Sequence, residues 1–307
     1  MENIIETNGL SKRFGKFKVV DSVSLTVRKG EIYGFLGLNG AGKTTTIRML
    51  LGMIRPSSGS AYINGKKVYA GNCALWNSVG YLVEIPYSYP DLTVKENLEI
   101  IRHLRFIGDS KVVDSVMEKL QLKQYQDRKA KNLSLGNAQR LGLAKAIMHN
   151  PDVLILDEPA NGLDPAGIVE IRELLHSLAH DRGVTVFVSS HILGEISKFA
   201  TRLGIIHEGK LIQEFDIDKL ESMRKRRLLV NTNNPENACS ILRSKSFTAN
   251  HLEDGLIELI DNDAIAHPDK INILLVQAGC VPTMLKVDEE DLEAHFLRII
   301  GRNRGAE

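Results

Sequence analysis

The sequence predicts an α/β fold. A mixed, mostly parallel sheet core is joined by an antiparallel β part and a helical part, and a small α+β domain follows. Three observations carry this expectation. The strongly apolar segments 152–156 and 184–188 flank an amphipathic stretch from Pro165 to about Leu178, a strand–helix–strand order with buried strands, as a parallel sheet has. A glycine-rich loop links the apolar run 32–36 to a helical stretch over 43–51. Composition then shifts near 216–227, which divides the chain into residues 1–215, with a helical part over about 93–150, and an accessory domain, 216–307.

Up to about residue 70 the chain reads as β-rich. Ser24-Leu25-Thr26-Val27 alternates polar and apolar residues as a half-buried strand does, and Lys29-Gly30 marks a turn ahead of the strand at 32–36. Gly52 and Pro56 stop the helix of 43–51, and 60–65 reads as one arm of a hairpin. Thr93 with Glu96 three residues on forms a capping box. Asp109 or Ser110 can cap the next helix, which ends near Leu120, and a third helix runs from about 137 to 149, ahead of Pro151. Segments 203–207 and 210–215 form a hairpin around Glu208-Gly209. In the accessory domain, strands are expected at 228–231, 256–260 and 284–287, and helices at 235–244, 267–277 and 289–300.

Composition narrows the function classes. A net charge of +1 supplies no global basic field, so nucleic acid is not expected as a partner. The one dense basic run, Arg224-Lys225-Arg226-Arg227, reads as a solvated linker, with docking to anionic lipid headgroups as the alternative. Cys73, Cys239 and Cys280 are widely spaced and odd in number. They form no metal motif and are expected to be buried fillers in a reducing cytoplasm. The N-terminal MENIIETNGL lacks the apolar core of a signal peptide. No apolar run approaches the roughly 20 residues of a spanning helix, so the chain is expected to be soluble or peripheral, with any pore formed by another chain.

The chemistry lies in the first 215 residues. Gly37-Leu38-Asn39-Gly40-Ala41-Gly42-Lys43-Thr44 fits the pattern G-x-x-x-x-G-K-[ST], between an apolar strand and a helix. Glycines let backbone amides wrap a phosphate, and the helix N-terminus adds its positive end. Lys43 suits the β- and γ-phosphates, and the Thr44 hydroxyl suits Mg²⁺. This pattern implies nucleotide phosphate binding but does not separate GTPases, kinases, helicases and transport ATPases. At the end of a second apolar strand stand Asp157 and Glu158. Asp157 suits the Mg²⁺ shell, and Glu158 suits polarising the water that attacks the γ-phosphate.

Further segments identify a family. Leu133-Ser134-Leu135-Gly136-Asn137-Ala138-Gln139-Arg140, Asn161-Gly162-Leu163-Asp164 and Ser190-His191 resemble the signature, D-loop and switch histidine of ABC-type ATPases, in the same order along the chain. The resemblance covers about residues 4–215. It implies a P-loop NTPase of ABC type that uses ATP and Mg²⁺, with Asn39, Gly40, Ala41, Gly42, Lys43, Thr44 and Thr45 around the nucleotide. It implies that Phe14 stacks on adenine and that Ser134 and Gly136 reach the γ-phosphate from the opposite subunit of a homodimer. His191 then senses the γ-phosphate, and Asp164 links the two sites.

Three positions depart from the family pattern. Leu135 and Asn137 stand in the signature, and Glu84 replaces the usual Q-loop glutamine. Glu84 reaches Mg²⁺ or water on this reading, or is a solvated loop carboxylate. The Glu84 substitution resembles the bacitracin and lantibiotic self-protection transporters. It implies a subunit at the cytoplasmic face of the cell membrane that powers a separate transmembrane permease, with export as the direction. Tyr87 and Tyr89 are expected either at the permease contact or in local packing. A soluble ABC-type ATPase is the alternative. However, translation factors of that kind join two ATPase domains, and repair members carry long coiled coils for which this chain has no room. For the accessory domain, dimer stabilisation, permease contact and regulation all stay open.

Overall fold

The computed structural model describes residues 2–84, 86–252 and 254–301, and their side chains except those of 73, 74, 221 and 222. The chain forms two compact units, divided between Asp218 and Lys219. In the first, β1 (Asn3–Phe14), β2 (Phe17–Arg28) and β3 (Ile32–Leu36) precede α1 (Lys43–Leu50), β4 (Ser58–Ile63), β5 (Lys66–Lys67) and β6 (Val79–Leu82). Three helices follow, α2 (Val94–Leu104), α3 (Lys111–Lys119) and α4 (Leu135–Ile147). Then come β7 (Val153–Asp157), α5 (Pro165–Arg182), β8 (Thr185–Ser190), α6 (Leu193–Ile196), β9 (Arg202–His207) and β10 (Lys210–Asp216).

Two sheets build this unit. One is antiparallel, in the order β2-β1-β4-β5; the other has the order β10-β9-β3-β8-β7-β6, parallel except for the β9–β10 hairpin. Every residue of β3 and β7 is buried, which explains why β7 is apolar up to the site residue Asp157 at its end: strands covered on both faces have little room for polar residues. Between the layers, Phe187 stacks on Tyr33 at 5.5 Å and meets Phe35 at 5.3 Å.

The strand register places the site. Leu36 pairs with Ser190, and Asp157 pairs with Ser189, so β3, β8 and β7 end level with one another. The segments that follow them, beginning at Gly37, His191 and Glu158, therefore emerge side by side at the carboxyl edge of the sheet, where open α/β sheets gather their ligands.

In the helical part, the Thr93–Glu96 capping box is present: Glu96 N–H donates to Thr93 Oγ1 at 3.2 Å, and Thr93 N–H donates to Glu96 Oε2 at 2.7 Å. Asn97, fully buried, ties the preceding loop to this helix. Its Nδ2 donates to the carbonyls of Tyr89, Leu92 and Thr93, and its Oδ1 accepts from the Tyr89 N–H at 2.8 Å.

The second unit comprises α7 (Leu220–Met223), β11 (Arg226–Thr232), α8 (Pro235–Ser244), β12 (Ala249–His251), β13 (Ile257–Leu259), α9 (Asn262–Ala266), α10 (Pro268–Gln277), β14 (Pro282–Glu289) and α11 (Leu292–Gly301). Its sheet runs β12-β13-β11-β14, and Leu228, Val230, Leu242, Ile257 and Leu275 fill its core together with the buried Cys239 and Cys280. The expectation for the Cys73 side chain lies outside the described residues.

The basic run is not a solvated linker. Arg226 opens β11, and the run faces the acidic end of β14: Arg224 and Arg226 pair with Glu289, and Arg227 pairs with Asp288 and Glu258. Opposite charges meeting across an antiparallel ladder keep both segments extended. For the same reason the last helix starts at Leu292 rather than at Glu289, which ends β14.

Replacing Asn97 by leucine, of similar volume, strands its backbone partners. The change is expected to lower the unfolding free energy in urea by about 2 kcal/mol. A loss below about 0.5 kcal/mol would mean that these groups are satisfied without it.

Candidate active site

The loop after β3 is held on both sides. Gly37 N–H donates to the Ser190 carbonyl at 3.1 Å, Ala41 N–H donates to Leu38 O at 3.1 Å, and Gly209 N–H donates to Ala41 O at 3.0 Å. Gly42 has φ of 105°, and a Cβ there would lie 2.8 Å from the Val19 carbonyl, so only glycine lets the chain enter α1 at this point. Asn39 and Gly40 are exposed at the mouth of the loop, and Thr45 is half-buried behind it. Lys43 lies beneath, 5% exposed, with Nζ donating to the carbonyls of Gly37 and Leu38 at 2.7 and 3.2 Å.

The two carboxylates differ in their partners. Asp157 accepts from Thr44 Oγ1 at 2.6 Å through Oδ2 and from Ser189 Oγ at 2.6 Å through Oδ1. Ser189 Oγ in turn accepts the Glu158 N–H at 3.0 Å, which pins the start of the next segment. Glu158 has φ of 49°, a left-handed conformation costly for a residue with a Cβ. That turn points its side chain back toward the loop. Lys43 Nζ lies 3.1 Å from Oε1; His191 Nδ1 and Asn161 Nδ2 lie at 2.7 Å from Oε2. A carboxylate only accepts, so the His191 Nδ1 carries the proton in this contact. Burial by itself would raise the Glu158 carboxyl. The Lys43 charge, with hydrogen bonds from Lys43, Asn161 and His191, outweighs it and holds the group below the usual carboxylate range.

Thus Lys43, Thr44, Asp157, Glu158 and His191 form one cluster. Among the described residues, no hydrogen bond or ion pair joins the expected residues outside the loop, Phe14, Ser134, Gly136, Asp164 and Glu84, to it. Phe14, half-exposed, ends β1, with Lys12 Nζ 5.1 Å from its ring centroid. Ser134 caps α4, its Oγ accepting the Asn137 N–H at 3.3 Å. With Gly136 it lines a separate depression shared with Gln121, Tyr125, Gly162, Leu163 and Asp164. Asp164 caps α5, accepting the Gly167 N–H at 3.1 Å. Glu84 pairs with Arg48 at 2.7 Å and is not joined to the Thr44–Asp157 pair. Tyr87 and Tyr89 meet edge to face at 6.0 Å and line a groove with Trp76, Tyr81 and Lys145, whose amine burial lowers to about 8.

Sequence reasoning missed three contributors. Ser189 bridges Asp157 to the Glu158 backbone, Gln139 Nε2 donates to the Glu158 carbonyl at 3.2 Å, and Asn161 holds the Glu158 carboxylate. Only Asn161 carried a local signal, a side-chain donor three residues after a candidate base.

Residues 20–161 match the family model described as ABC transporter. The chain is 42% identical over 304 residues to the bacitracin transport ATP-binding protein BcrA of Bacillus licheniformis, with 98% of each chain covered. It is 34% identical over 222 residues to the lantibiotic transport ATP-binding protein SrtF of Streptococcus pyogenes, which covers 72% of this chain and 95% of that one. Among solved structures, an ATP-binding subunit of an ABC transporter superposes with a TM-score of 0.65 at 26% identity, over 71% of this chain and 92% of that one. A dimeric ATP-binding cassette in a post-hydrolysis state, bound to ADP and phosphate, shares the fold with a TM-score of 0.65 at 23% identity, over 70% of this chain and 99% of that one.

Replacing Lys43 by alanine removes the one buried cation of the loop cluster. It is expected to weaken the binding of a nucleoside triphosphate by about 100-fold in calorimetric titration. Unchanged affinity would mean that the phosphates do not meet this lysine.

Proposed function

Because the chain belongs to the ABC transporter family as an ATP-hydrolysing subunit, we propose that two copies clasp ATP between them and drive a separate membrane permease that exports a peptide antibiotic of the bacitracin or lantibiotic kind. The observation that carries the hydrolytic part is Glu158. It is a carboxylate at the sheet edge, kept ionised by Lys43 and aimed at the phosphate loop by its strained backbone and two further donors.

The chemistry follows from these contacts. The loop amides and Lys43 bind the β- and γ-phosphates; as Lys43 turns to them it releases Glu158 Oε1, its partner in the structure. That oxygen then takes a proton from a water that attacks the γ-phosphorus. The bond from phosphorus to the bridging oxygen breaks, and ADP leaves with the electron pair. His191, anchored on Oε2, holds the carboxylate and faces the transferred phosphate.

The Thr44 hydroxyl and Asp157 carboxylate stand 2.6 Å apart beside the loop, a hard-oxygen pair. They fit Mg²⁺, which takes one or two protein oxygens and completes its shell with water and phosphate. Bound there, Mg²⁺ would neutralise charge on the phosphate oxygens. Glu84, whose Oε1 pairs with Arg48, would reach this shell directly or through water.

The dimer rests on a second observation. Ser134 and Gly136, suited to a γ-phosphate by a hydroxyl and by the amides of a helix start, occupy a depression that no loop residue lines. A second copy would bring them to the loop's open face. The closed pair would be favoured by contacts to the γ-phosphate that vanish after hydrolysis. The groove beside Glu84, with Tyr87 and Tyr89 on its wall, is the surface assigned to the permease. Peptide export is supported by the match along the whole chain to a bacitracin transport subunit. Location at the cytoplasmic face of the membrane would follow from the permease contact.

Deleting the chain from cells that carry its permease should sensitise them to bacitracin-type or lantibiotic peptides, with wild type restoring resistance and Glu158→Gln failing to. In the purified chain, Glu158→Gln should lower phosphate release by about 1,000-fold while ATP binding persists. Full hydrolysis by that variant would refute the role of Glu158, and unaltered peptide sensitivity would refute the export reading.

A further inference from the structure

Glu158 Oε2 has two anchors, and only one of them is the histidine. Asn161 Nδ2 donates to the same oxygen at 2.7 Å, and the Asn161 backbone N–H donates to the Glu158 carbonyl at 3.1 Å. The backbone bond closes the turn by itself, and α5 is capped separately by Asp164. The side-chain bond is therefore not needed to build the loop. The loop is also held in place. Gly162 has φ of 77°, and a Cβ there would lie 2.3 Å from Leu135 Cδ2, so the backbone next to Asn161 is pressed onto the first residue of α4. Gln139 of the same helix grips the Glu158 carbonyl.

We propose that Asn161 is a positioning residue for ATP hydrolysis, fixing with His191 the direction in which the Glu158 carboxylate faces. This rests on the reading of Glu158 as the group that accepts the water's proton. A carboxylate held at one point swings about its Cγ–Cδ bond. Held through Oε2 by donors from two different segments, it keeps Oε1 facing the loop after Lys43 turns to phosphate. Leu135, where the family pattern has glycine, supplies the packing that keeps Asn161 in reach.

The test compares wild type with Asn161→Ala, Asn161→Asp and Glu158→Gln in the full-length chain, by phosphate release over a range of ATP concentrations with Mg²⁺. Aspartate matches asparagine in shape but offers an acceptor in place of the donor. Both Asn161 variants should lower kcat by about tenfold or more, with KM for ATP within about twofold of wild type and aspartate at least as damaging as alanine. A residue needed only for loop shape would tolerate aspartate. Wild-type kcat in Asn161→Asp, or a change confined to KM, would overturn the inference. If Asn161→Ala fails to fold, as judged by its thermal midpoint, Asn161→Asp decides. Wild-type kcat in Glu158→Gln would instead remove the reading on which the inference rests.

Discussion

The contact between Lys43 and Glu158 organises this molecule's working edge. A lysine 5% exposed and a carboxylate 17% exposed would each be costly to bury alone. Together they tie the loop after β3 to the segment after β7, across the intervening β8. The level ends of these strands make the contact possible, and the rest of the cluster follows from it. Thr44 is delivered to Asp157 by the same helix start that delivers Lys43, and His191 reaches Glu158 from the end of β8.

Lys43, held by Glu158 in the structure, is also the cation proposed to bind phosphate. Lys43 faces a choice between Glu158 and an incoming phosphate, and a polyanion outcompetes a single carboxylate for it. On the proposed function, this contact would be released as the phosphates bind. Ser134 and Gly136, proposed to meet the γ-phosphate from a second copy, line a different depression. On that proposal, separating the two halves would make hydrolysis conditional on assembly.

Much of this was legible in the sequence because it is local. The loop at 37–44, the carboxylates at the end of an apolar strand, the Thr93–Glu96 capping box and the bounds of α8 all depend on neighbours a few residues away. What escaped depends on register and on partners remote in the chain. Ser189 becomes a bridge only because β7 and β8 align Asp157 with it. The run Arg224 to Arg227 reads as a solvated linker until the acidic end of β14 is placed beside it. β6, a short strand at the sheet's edge, and β12, of only three residues, are too short to show a period. Glu84 could be named from sequence, but its partner Arg48 could not.

The central claim, that Lys43 and Glu158 form one buried unit, is tested most directly by a double-mutant cycle in urea unfolding with Lys43→Met, Glu158→Gln and both together. Removing the lysine alone strands a buried carboxylate and should cost about 2 kcal/mol, whereas the double variant should cost less than Lys43→Met by itself. Additive losses would contradict the account, since they would mean that the two side chains contribute independently and that nothing joins the loop to the carboxylate.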